Sequence, residues 1–111
     1  MPSELSKRVT ERLNEVVEEE TRRRMGELNV ITEVTEMATG SVRIRFQPLS
    51  AYSPTAVGAG RSIREAAMSV NGVQEVRVEC SGHMMDELVN RLVNQEDAIP
   101  KIGQTASTQS G

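Results

Sequence analysis

Between Ser41 and Val70 the sequence changes period across a proline corner, and few small folds accommodate that change. Val42, Ile44 and Phe46 alternate with Arg43, Arg45 and Gln47, the period-two pattern of a strand with one buried face. Pro48 cannot donate to a ladder and ends that strand. Ser53-Pro54 then suits a helix start. A serine hydroxyl accepts from first-turn amides, and the missing proline N–H costs nothing at the first helical position. Val57, Gly60, Ile63, Ala67 and Val70 recur at helical spacing. Gly58 and Gly60, with Ala56 and Ala59, let that helix lie close to a sheet, although each glycine weakens it by roughly 1 kcal/mol. The segment thus predicts a strand, a corner capped by Ser53, and a helix from Pro54 whose positive end faces outward.

Asn71-Gly72 closes the helix, and Val73, Val76, Val78 and Cys80 predict a third strand, with Glu75, Arg77 and Glu79 facing out. So short a return places this strand in the same sheet as the first. Upstream, Ser3 can cap a helix carrying Leu5, Val9, Leu13 and Val16 on one stripe. The run EEETRRR, residues 18 to 24, sets Glu18, Glu19 and Glu20 each four residues before an arginine, the order that supports a helix. The first helix is therefore expected to run to Arg24 and stop at Gly26. Leu28 to Met37, rich in β-branched residues, predicts a strand. Ala38 to Ser41 predicts the turn of a hairpin with the alternating strand. Past Ser81-Gly82, His83 to Gln95 predicts a last helix with Met85, Leu88, Leu92 and either Met84 or Val89 inward. The expectation is an α/β (α+β two-layer) fold of order α-β-β-α-β-α, with a small three-stranded mixed sheet packed on helices. One domain covers residues 1–95, and residues 96–111, polar and unpatterned, form a disordered tail.

Composition narrows the function classes. The net charge of −3 disfavours non-specific nucleic-acid binding, and the strand arginines have no stacking aromatics beside them. No stretch reaches the apolar length of a membrane span. One cysteine forbids an internal disulfide and fits a reducing cytoplasm, and the N-terminus lacks the apolar run of a secretion signal. With one Phe, one Tyr and no Trp, the core is built from Val, Leu, Ile, Met and Ala; it should be thin and extended by another chain, for example as a homodimer.

Four local stretches resemble the SufT/PaaD-like family of iron–sulfur cluster assembly accessory domains. Leu49-Ser50-Ala51-Tyr52-Ser53-Pro54-Thr55-Ala56 is similar to its Thr-Ser-Pro-Gly-Cys-Pro corner, Ile63-Arg64-Glu65-Ala66 to its second helix, and Gly72-Val73-Gln74-Glu75-Val76-Arg77-Val78 to its following strand. Glu18 and Glu20 stand where the family has an Asp-Pro-Glu turn, and Leu28-Asn29-Val30-Ile31 where a strand opening follows. The likeness covers residues 5 to 80. Ser53 aligns with the family's corner cysteine, and a serine hydroxyl, protonated at neutral pH, is a poor ligand for iron or zinc. The resemblance then implies a cytoplasmic, non-catalytic accessory protein acting by protein–protein contact with a metalloenzyme client or assembly factors. No cofactor would be bound stably, and iron or an iron–sulfur cluster would pass only transiently. The expected contact site is Tyr52, Ser53, Pro54 and Thr55, with Arg43 and Arg45 as a docking face. Ser53 packed in the interior, or a cluster ligated at that spot, would overturn the docking-adaptor reading that rests on it.

Cys80 and His83 are the only cysteine and histidine, three residues apart at a strand end. They could supply two metal ligands, with Asp86 or Glu87 as a third, and a homodimer could complete the set. The same spacing suits a buried strand end followed by a first helical turn. A Cys80 nucleophile paired with His83 would make a small enzyme, but no orienting group or oxyanion site marks one.

Overall fold

The computed structural model describes residues 3–94, so the tail expected at 96–111 lies outside the described residues. Seven elements follow in order: α1 (Glu4–Asn14), α2 (Met25–Leu28), β1 (Ile31–Ala38), β2 (Ser41–Phe46), α3 (Ala56–Met68), β3 (Glu75–Cys80) and α4 (Asp86–Asn94). The strands form one mixed sheet in the order β1-β2-β3, with β1 antiparallel and β3 parallel to β2. The α+β fold with a three-stranded mixed sheet is therefore as expected, with the short α2 added. No helix of the described residues is long and apolar enough to cross a membrane.

The core sits between the sheet and its helices. Val42, Ile44 and Phe46 of β2 and Val76, Val78 and Cys80 of β3 are buried with Leu5, Val9 and Leu13 of α1, Ile63, Ala66 and Ala67 of α3, and Val89 and Val93 of α4. Each large apolar side chain removed from water contributes about 1.5–3 kcal/mol. A one-residue slip of β2 would turn all three of its apolar residues to solvent, which fixes its register. The other sheet face is an ion-pair lattice. Arg43 and Arg45 bond Glu33 at 3.1 and 3.3 Å, and Arg45 and Arg77 bond Glu79 at 3.1 and 3.4 Å.

Helix α1 begins as read, with the Ser3 hydroxyl accepting from the Ser6 amide at 3.0 Å. It ends at Asn14, ten residues before the expected Arg24. The expected Glu–Arg helix pairs are each worth about 0.2–0.5 kcal/mol. Glu18 instead turns inward, 3 % exposed, and its carboxylate accepts from the Glu20 amide at 2.9 Å, the Thr21 amide at 2.7 Å and the Thr21 hydroxyl at 2.8 Å. Hydrogen bonds to a charged group are worth about 1.5–3 kcal/mol, so the turn wins. Arg22 takes a left-handed backbone (φ 62°), the chain folds back through a Val17–Arg24 bridge, and Arg23 and Arg24 pair with Glu27. Gly26 lies within α2 rather than ending a helix, and left-handed Asn29 (φ 56°) closes α2, which shifts the start of β1 to Ile31.

Two further boundaries move. Strand β3 starts at Glu75, not Val73, and α4 starts at Asp86, not His83, because the Asp86 carboxylate bonds the amides of Gly82 and His83 and holds them in a loop. The inward face of α4 consists of Val89 and Val93, while Met84, Met85 and Leu88 are exposed. Gly60 explains part of this packing: a Cβ there would lie 2.5 Å from Val93 Cγ2, so the bare backbone of α3 is what lets α4 seat.

Candidate functional site

The corner after β2 differs from its expected geometry. Helix α3 begins at Ala56, with Thr55 in the cap position and no side-chain cap bond. Ser53 caps nothing. It is 6 % exposed, its hydroxyl lies 3.2 Å from the Thr55 hydroxyl, and its carbonyl accepts from the Ala56 amide at 3.4 Å. Burial removes Ser53 from the expected contact set, and a docking surface centred on it is overturned. Tyr52 and Pro54 are exposed and Thr55 is half-buried.

The corner is held by a second loop. The Met84 amide donates to the Ala51 carbonyl at 2.8 Å, and His83 Nε2 lies 3.1 Å from the Ser53 carbonyl. The Met85 amide donates to His83 Nδ1 at 3.0 Å, so Nδ1 is the acceptor and Nε2 carries the proton given to Ser53. This imidazole ties residues 81–85 to the corner. The two loops then present Tyr52 (72 % exposed), Met84 (68 %) and Met85 (54 %) to solvent. Sequence reasoning placed Met85 inward, with either Met84 or Val89 beside it; Val89 is the buried one, and the carboxylate of Asp86 delays the helix and leaves both methionines turned out.

Beneath the corner, Glu18 of the acidic turn meets Gln47, Ser53 and Thr55 across a narrow cleft floored by Met25 and Phe46. Its volume is about 10 Å³, room for about one water molecule and far below the 300–1,000 Å³ of organic-ligand pockets. Burial works against the charge of Glu18, but the amides of Glu20 and Thr21 and the Thr21 hydroxyl outweigh it and hold the carboxyl below its usual range. Sequence reasoning set Glu18 in an ion-paired helix by charge spacing and, by resemblance, where an acidic turn stands; the structure has a turn there.

Cys80 and His83 are brought together, but in bonded states. Burial first, and then the hydrogen bond and negative charge of Asp86, push the Cys80 thiol up to about 12. At neutral pH the sulfur is a thiol donating to Asp86, whereas both metal ligation and nucleophilic attack require the thiolate. Both imidazole nitrogens of His83 are engaged by backbone groups. Burial opposes ionisation of Asp86, yet the His83 and Gly82 amides and the Cys80 thiol keep its carboxyl below the usual range. Among the described residues, no group of three or more His, Cys, Asp or Glu side chains is placed to hold a metal ion. Arg43 and Arg45 are placed on the open sheet face, held in ion pairs to Glu33 and Glu79. With Arg77 and Glu75, the described residues of that face set three basic against three acidic side chains.

No protein-family model matches the chain. It is 24 % identical over 71 residues to the uncharacterized protein MJ1129 of Methanocaldococcus jannaschii, an alignment that spans 64 % of this chain and 75 % of that protein.

Proposed function

We propose that this protein is a non-catalytic accessory protein for iron–sulfur cluster assembly or metalloenzyme maturation, acting by contact with a metalloenzyme client or with assembly factors. The resemblance of the corner, the second helix and the third strand to SufT/PaaD-like domains supports the reading. One observation carries it: Tyr52, Met84 and Met85 stand exposed on two loops tied to each other through Ala51, Ser53, His83 and Met84, while the reactive side chains beside them are bonded inward. A platform of aromatic and thioether side chains suits protein docking, because tyrosine gives large contact area at low ordering cost and methionine adapts its shape to an uneven partner surface. The contact set is Tyr52, Pro54 and Thr55 with Met84 and Met85, and without Ser53. In this reading iron or a cluster is cargo handled by the partner, and the protein works in the cytoplasm.

The test is genetic and chemical together. Cells lacking the protein should show reduced cluster content in at least one iron–sulfur enzyme, restored by the wild type but not by Tyr52→Ala/Met84→Ser. The same enzyme should be captured by tagged wild type and not by that variant. Unchanged cluster content across the iron–sulfur enzymes of cells lacking the protein would overturn the proposal.

A further inference from the structure

Among the described residues, strand β3 has a neighbouring strand on one side only, β2. Its far edge would offer unpaired amides and carbonyls, the template for strand addition. Helix α4 covers that edge with two side-chain amides. Asn94 Oδ1 accepts from the Val78 N–H at 3.0 Å, and its Nδ2 donates to the Val78 carbonyl at 2.7 Å. That two-way pairing is the one a peptide group of an adjacent strand would make. One turn earlier, Asn90 Oδ1 accepts from the Cys80 N–H. Asn94 Nδ2 also donates to the Asn90 carbonyl at 2.8 Å, which links the two covers. The opposite edge of the sheet is protected differently: β1 breaks register twice, between Ile31 and Glu33 and between Glu36 and Ala38, and such bulges spoil an edge for pairing. Strand β3 keeps register with β2 from Glu75 to Cys80 without a bulge. Among the described residues, side chains alone close it.

The covered edge is also self-complementary. Val78 turns both its N–H and its carbonyl to the α4 side, so an antiparallel pairing centred on Val78 of two copies would close both bonds. In that register Val76 faces Cys80 and Arg77 faces Glu79, each twice about the two-fold axis. Opposite charges across strands stabilise such a pairing, and an isologous contact repeats each of them. We propose that the β3 edge is a latent homodimer interface, closed by Asn90 and Asn94 and opened when α4 lifts, whose occupant is the β3 edge of a second copy. This stands independently of the docking role of the corner.

The experiment uses the full chain. Asn90→Leu/Asn94→Leu removes both amides while keeping side chains of similar size. Sedimentation should show this variant associating to a dimer at least about tenfold more tightly than the wild type. Adding Glu79→Lys sets lysine against Arg77 and should return it to monomer; the swap Arg77→Glu/Glu79→Arg should restore the dimer. A folded double variant that stays monomeric at the same concentrations, or a dimer indifferent to Glu79→Lys, overturns the proposal. If the double variant does not fold, Asn94→Asp decides in the same assay. It keeps an acceptor for the Val78 amide and loses the donor to the Val78 carbonyl. Tighter association than wild type supports the interface, and unchanged association overturns it.

Discussion

The acidic turn around Glu18 and the corner around Ser53 face each other across one cleft, and they are held by opposite means. The turn is self-contained: one buried carboxylate serves two amides and a hydroxyl within three residues of itself. The corner's own bonds are long ones: the Ser53 amide to the Ser50 carbonyl at 3.2 Å, the Ala56 amide to the Ser53 carbonyl at 3.4 Å, the Tyr52 amide to the Ser50 hydroxyl at 3.3 Å and the Ser53–Thr55 hydroxyl contact at 3.2 Å. Its firm bonds come from His83 and Met84, some thirty residues on. A local charge concentrates stability in one side chain, whereas borrowed backbone bonds spread it over two loops. The turn should therefore break at a single substitution, and the corner should loosen without unfolding.

Glu18→Ala is the severest test. It leaves two amides and a hydroxyl without their acceptor, so the expected loss is roughly 2–4 kcal/mol. For a folded unit of this size that lowers the melting temperature by roughly 10–25 °C. The same carboxylate sets an acid limit. Its folded pKa lies below its unfolded value, so its contribution is present above the unfolded pKa and disappears as pH falls through the folded one. Urea titrations at decreasing pH below about 4.5 should show wild type losing stability, and Glu18→Gln, with no charge to lose at this position, losing less over the same window. Parallel pH dependence in the two proteins would place the acid sensitivity elsewhere, with Asp86 the next candidate.

Gly60→Ala separates the support of the corner from that of the turn. A Cβ at residue 60 would drive into Val93 and reach within 3.3 Å of Phe46, so α4 must shift and bring residues 81–85 with it. Overpacking of this kind costs roughly 1–3 kcal/mol. Chemical shifts of Met84 and Met85 should move, while those of Glu20 and Thr21 stay in place. A disturbance reaching the acidic turn would show the two regions to be one unit.

His83→Ala should cost less, about 1 kcal/mol, because two neutral hydrogen bonds are lost where water can replace part of them. The sharper readout is amide exchange: Met84 and Met85 should exchange faster, with Glu20 and Thr21 unchanged. Protection retained at Met84 would mean that its bond to Ala51 stands without the imidazole.

Period and β-propensity made the strands and their order legible, because Val42 to Phe46 and Val76 to Cys80 bury one face each and any slip is penalised at every second residue. The ends of the helices were less legible, since they are decided by single polar side chains acting out of register with the apolar stripe. Glu18 outweighed three expected ion pairs, Asp86 delayed α4 by three residues, and Asn90 and Asn94, one turn apart, read as ordinary helix surface until β3 lay beside them. The site suffered most, for Ser53-Pro54 is a sound helix start on local grounds, and only long-range bonds from His83 and Met84 show why it is not used.

The smallest effect is expected at Ser53 itself. Its hydroxyl has one partner, Thr55, and sits beside a narrow cleft, so Ser53→Cys should change stability by no more than about 1 kcal/mol. Combined with Cys80→Ala, it turns burial into a rate. A thiol at 53 should react with a disulfide reagent far more slowly than one placed at 52 in the same background, because residue 53 faces inward and Tyr52 outward. Equal rates at the two positions would mean that the corner opens readily, that its borrowed bonds do not hold it, and that residue 53 belongs in the contact set after all.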